Sequence, residues 1–115
     1  MDDLITEIMK KNQELTASIK LLRRNGTDLA NKERDYKVAL RQEALKLRQE
    51  KGMPVTLISQ IIYGVPEVAD LRLKRDIAET MYQTNIEHIN VTKLQLRLLE
   101  AQLSREYGSS GRGDL

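Results

Sequence analysis

The feature that most constrains this chain is the spacing of its apolar residues. Residues 2–51 contain no proline, and residues 67–107 contain neither proline nor glycine. In both stretches the apolar side chains recur three and four residues apart. The first stripe runs Ile5, Ile8, Asn12, Leu15, Ile19, Leu22, Gly26, Leu29, Glu33, Tyr36, Leu40, Glu43, Leu47. The second runs Leu71, Arg75, Ala78, Tyr82, Asn85, Ile89, Thr92, Leu96, Leu99, Leu103, Glu106. A 3-4 repeat lines one face of an α-helix and forms the a/d seam of a left-handed coiled coil. Asp2, Asp3 and Glu7 open the first stretch, and Arg48 and Lys51 close it; Pro66, Glu67 and Asp70 open the second. Those placements suit the helix dipole and the first-turn preference of proline. At about 1.5 Å per residue the helices would be roughly 75 and 60 Å long. Rods of that length are stabilised by packing a stripe against a neighbour rather than by propensity alone.

Composition agrees with long helices. Charged residues make up 31% of the chain and aromatics 3%, with no Trp, Phe or Cys. This argues against a β-sandwich and against a core built on large rings. Without cysteine there is no disulfide, thiolate-bound metal or thiol nucleophile. His88 is the single histidine, so a histidine-rich metal site is excluded, and no cofactor is expected. The balance of 19 Lys and Arg against 17 Asp and Glu lacks the strong basic bias of most nucleic-acid binders. No apolar run approaches the roughly 20 residues of a membrane span. Met1-Asp2-Asp3 does not open a signal peptide, and the cytoplasm is the expected compartment.

The connection between the stretches is bracketed by Gly52 with Pro54 and by Gly64 with Pro66. Between them lie Val55, Leu57, Ile58, Ile61, Ile62, Tyr63 and Val65, the most apolar segment of the chain. It reads as a short helix of about two turns, with Thr56 available as a cap, lying across the tip of a hairpin. The expected fold is all-α: a single domain over 1–107, with helices at about 2–51 and 66–107, a tip at about 52–65, and a flexible tail over 108–115. Asn25-Gly26-Thr27-Asp28 admits two readings, a break with a new cap or a tolerated glycine. The unbroken 3-4 phase favours continuity.

The polar exceptions in the stripes suggest a register. If the helices run antiparallel with paired residue numbers totalling 118, Glu43 faces Arg75, Glu33 faces Asn85, and Tyr36 faces Tyr82. Sliding to a total of 111 would put Glu43 on Val68. A carboxylate buried without a partner is costly, so matched polar layers would select the first register. The same match could form within one chain or between two. These pairs read as register-setting rather than catalytic, and no nucleophile–base arrangement or phosphate loop is recognisable.

Apolar surface remains beyond what two stripes can cover: the tip, with Leu57, Ile58, Ile61, Ile62 and Tyr63; the first turns, with Leu4, Ile5 and Ile8; and a second stripe of Leu73, Ile77, Met81, Val91, Leu94 and Leu98. Such surplus marks interfaces. It predicts dimerisation with a second copy into a helical bundle, together with an unidentified protein partner. The alternative is a nucleic-acid-binding accessory factor of replication or recombination using the basic face of Arg34, Lys37 and Arg41. A loose helix-turn-helix likeness over 56–72 is weakened by the acidic first turn of the following helix. Arg112-Gly113-Asp114 spells an integrin-binding tripeptide that coincidence explains in this context.

Four blocks carry a resemblance: Asp35-Tyr36-Lys37-Val38-Ala39-Leu40-Arg41; Gly52-Met53-Pro54-Val55-Thr56-Leu57-Ile58; Val68-Ala69-Asp70-Leu71-Arg72 through Ala78-Glu79; and Lys93-Leu94-Gln95-Leu96-Arg97-Leu98-Leu99-Glu100. Over roughly residues 30–107 the chain resembles a family of small helical proteins encoded by phages and prophages of Gram-positive bacteria. The family has no established catalytic motif. The resemblance implies a viral origin and a bacterial host cytoplasm, and transfers no functional residue. With the surplus apolar surface, it points to a non-enzymatic helical interaction or adaptor protein.

Overall fold

The computed structural model describes the backbone of residues 2–113 and the side chains of residues 3–108. It is a helical hairpin. Helix α1 spans Asp2–Lys51, α2 spans Val55–Ile61, a 3-10 turn covers Ile62–Gly64, and α3 spans Pro66–Gly113. No strand occurs among the described residues. The contacts group into two compact units. A tip unit runs Arg24–Gln83, and a terminal unit joins the chain up to Arg23 with the chain from Thr84 onward.

Helix α1 passes through Asn25-Gly26-Thr27-Asp28 without a break, as the unbroken phase predicts. A Cβ placed on Gly26 would lie 3.4 Å from Cε2 of Tyr82, so the glycine sits directly against that ring. Helix α3 runs six residues past the expected end at 107, to Gly113. Extending an existing helix adds a hydrogen bond per residue at no nucleation cost, so composition alone marks such an end poorly. Residues 114 and 115, including Asp114 of the terminal tripeptide, lie outside the described residues.

The tip unit is built on a chain reversal. Gly52 adopts φ +58°, the left-handed conformation that costs a side-chain-bearing residue free energy. The N–H of Met53 then donates back to the Leu47 carbonyl at 3.3 Å. Arg48 Nη1 donates to the Met53 carbonyl at 3.0 Å, tying Met53 from both sides. The cap position of α2 is Pro54 rather than Thr56; its carbonyl accepts from the N–H groups of Leu57 at 3.1 Å and Ile58 at 3.0 Å. Pro54 holds φ −63° and ψ 146°, an extended entry that proline's fixed φ favours. Pro66 opens α3, where its missing N–H leaves no helix hydrogen bond unmade.

The short helix does not lie across two level rod ends. It folds back along α1, burying Ile58 and Ile62 with Leu47, and packing Leu40, Ala44 and Met53 around them. This overturns the expected register. Arg75 pairs with Glu33, with Nη1 3.7 Å from Oε1, and not with Glu43. Tyr82 meets Gly26 rather than Tyr36. In both contacts the paired residue numbers total 108, ten fewer than expected. The cause is competition for α1's last turns. Leu40 and Leu47, which a total of 118 would set against Ala78 and Leu71, pack instead with Ile58 and Ile62 of the folded-back tip. Helix α3 therefore starts beside α1 about two and a half turns short of its end. Glu43 stays half-exposed, so the full burial penalty that argued against a shifted register does not fall on it.

In the terminal unit the buried α3 residues are Asn85, Ile89, Thr92 and Leu96, as the spacing predicts. Asn85 does not face Glu33. Its Nδ2 donates to the Ser18 carbonyl at 3.1 Å, with both residues buried. The Thr92 hydroxyl donates to the His88 carbonyl at 2.8 Å. Helix α1 is rolled slightly from its expected orientation: Ser18 is buried and Ile19 exposed. A small residue at 18 lets the Asn85 amide reach a backbone acceptor, which a buried amide requires.

The two glycines of α1 and its exit respond oppositely to the same substitution. Gly26→Ala adds a methyl at ordinary contact distance and removes the helix penalty of glycine, stabilising the protein by up to about 1 kcal/mol. Gly52→Ala forces a Cβ into the left-handed region and destabilises by about 1–2 kcal/mol. Urea denaturation of the two variants beside the parent chain measures both signs.

Candidate interaction surface

The tip carries two faces set by helical spacing. Ile58 and Ile62, four residues apart, point into the core on Leu47. Val55, Leu57, Ile61 and Tyr63 are exposed. The sequence places all five of Leu57, Ile58, Ile61, Ile62 and Tyr63 at an interface; Ile58 and Ile62 are core residues instead, because the tip folds onto α1 and covers them. Leu57, Ile61 and Tyr63 remain at the surface, 41%, 39% and 45% exposed. The Arg72 guanidinium lies 5.0 Å from the centre of the Tyr63 ring, a cation–π contact that braces this exposed aromatic from α3. The Ser59 hydroxyl donates to the Thr56 carbonyl at 2.8 Å on the outer face of α2.

The N-terminal residues separate in the same way. Leu4 and Ile8 are half-buried, whereas Ile5 is exposed. Leu99 and Leu103 of α3 are half-buried in the same unit. In that unit Asn85 meets Ser18, a total of 103, whereas the expected total of 118 would set the first turns against the Gly/Ser tail.

The polar cluster around Arg75 is structural. The guanidinium stacks 4.8 Å from the centre of the buried Tyr36 ring, and Nε donates to Asp76 Oδ1 at 2.8 Å. The hydrogen bond that Arg75 donates to Asp76 raises the Arg75 pKa above its ordinary value, with the charges of Asp76, Glu33 and Tyr36 adding smaller favourable contributions against partial burial. Arg75 therefore remains a fixed cation that the seam uses as a flat, stackable side chain.

The basic face is largely neutralised by its own neighbours. Arg34 Nη2 lies 3.1 Å from Asp35 Oδ1, and Lys37 Nζ lies 3.4 Å from Glu33 Oε1. Arg41 is exposed on the same helix. Beside them a shallow groove of about 660 Å³ follows the notch left by Gly26, with Tyr82, Leu29, Ala30 and Val38 as its apolar lining and Arg34 and Lys37 at its rim. Among the described residues no group of three or more His, Asp or Glu side chains could hold a metal ion, and no helix is long and apolar enough to cross a membrane.

No protein family, curated protein or solved structure matches this chain. The site is therefore defined by its own geometry: an apolar surface formed by alternate residues of a short helix whose opposite face is anchored.

The two faces of the tip predict a contrast between adjacent isoleucines. Ile62→Ala removes a buried side chain and costs about 2–4 kcal/mol of stability. Ile61→Ala, on the exposed face, costs less than about 1 kcal/mol. Thermal unfolding of the two variants reads the difference directly.

Proposed function

We propose that this chain is a non-enzymatic helical adaptor, encoded by a phage or prophage, that engages another protein through the apolar surface of its tip. The observation that carries the reading is the exposure of Leu57, Ile61 and Tyr63, with Val55, on a segment held by buried Ile58 and Ile62. A short helix anchored on one side offers a preordered apolar face, so binding does not have to order the segment first. Exposed apolar side chains clustered on a small element, with charged helices around them, have the anatomy of a protein contact surface. Tyr63, braced by Arg72, has the aromatic character common among residues that dominate binding energy. The phage assignment is supported by the resemblance over residues 30–107.

The test is a double substitution on the exposed face, Leu57→Asp with Ile61→Asp, in the full chain. Helicity by circular dichroism is expected to be retained, since neither residue belongs to the buried core. The parent chain is expected to capture a partner from a Gram-positive host lysate that the variant fails to capture. Equal capture by both chains, or capture by neither, refutes the reading.

A further inference from the structure

The second apolar stripe of α3 is not used by the hairpin. In the tip unit it consists of Leu73, Ile77 and Met81; in the terminal unit it consists of Val91, Leu94 and Leu98. All six are between 49% and 62% exposed. They lie off the buried seam of α3. Exposure of this extent, repeated at helical spacing, is a stripe without a partner in the monomer.

Each segment carries three apolar residues at helical spacing. Read forward, the first has apolar steps of four and four; read backward from Leu98, the second has steps of four and three. Placed antiparallel so that Met81 meets Val91, Ile77 falls beside Leu94 and Leu73 beside Leu98. The same placement brings Glu67, in the first turn of α3, opposite Arg105, near its far end. Lys74, which lies within the stripe, is already neutralised by Asp70 at 3.1 Å, so its alkyl stem can cover Leu98 without leaving an isolated charge. Sliding the segments by one heptad in either direction loses this match: one shift sets Lys74 against Arg105, and the other sets Glu67 on Leu98.

We infer that the occupant of this face is a second copy of the same chain, with the Leu73–Ile77–Met81 segment of one copy lying antiparallel on the Val91–Leu94–Leu98 segment of the other. A two-fold axis requires that if residue i meets residue j, residue j also meets residue i. A single helix carrying both halves of a complementary pattern satisfies that requirement, and the Glu67–Arg105 match occurs twice in each dimer. The interface uses α3 alone. It leaves the tip surface free for a different protein, so this inference stands apart from the adaptor reading and is tested separately.

The full chain at about 100 µM is expected to sediment at twice its monomer mass of 13.2 kDa. Val91→Glu with Leu98→Glu, both on exposed positions, is expected to return the mass to that of one chain with helicity unchanged. Arg105→Glu is expected to weaken self-association at least several-fold, and Glu67→Arg added to it is expected to restore it. The chain has no native cysteine, so introduced thiols report without background. Met81→Cys combined with Val91→Cys is expected to form an inter-chain disulfide, whereas Met81→Cys alone is not. A parent chain that sediments at 13.2 kDa, a Val91→Glu, Leu98→Glu variant that stays dimeric, or a charge reversal that the second reversal fails to rescue overturns the inference.

Discussion

The contact on which the hairpin depends is the packing of Ile58 and Ile62 onto Leu47. It joins the folded-back tip to α1 and so determines where α3 begins. The other helix contacts of the tip unit inherit that starting point. Arg75 reaches Glu33 and the Tyr36 ring because α3 starts short of α1's end, and Gly26 receives Tyr82 for the same reason. A segment of about two turns thus fixes how α1 and α3 align in the tip unit. The left-handed Gly52 makes the reversal possible, and the Met53 hydrogen bonds hold it.

The architecture was legible in the sequence because periodicity is a local signal. The spacing of α3 named its buried face correctly from Leu71 to Leu103, and Pro66 marked its start. Gly26 was read correctly as a glycine inside a helix. What periodicity cannot reveal is which partner a stripe meets. Leu40 and Leu47 are compatible with α3 or with the tip, and only the three-dimensional competition between those partners decides. The matched polar layers at a total of 118 were self-consistent, but they assumed rods of level ends. Glu43 carried much of that argument, and half-exposure at the seam margin removes its force.

The interface residues divide for a related reason. The tip's high apolar content was plain, but assigning each residue to core or surface required knowing where α2 lies. Once it rests on α1, spacing does the sorting: Ile58 and Ile62 turn inward, and Leu57 and Ile61 outward. Ser18 was the residue least visible in advance. Nothing in its own type suggests burial; its place follows from the need of Asn85 for an acceptor 67 residues away in sequence. The polar seam residues therefore carry specificity through hydrogen bonding to the backbone as well as through charge pairing.

The turn at Gly52 also bears on the order in which the chain organises itself. Leu47 and Ile58 are 11 residues apart, so their encounter closes a small loop. Ser18 and Asn85 must close a loop several times longer. The entropy of closure rises with loop size, and long-range contacts become cheap only after shorter ones have drawn the segments together. Bringing Leu47 and Ile58 together therefore costs the chain less entropy than bringing Ser18 to Asn85 does.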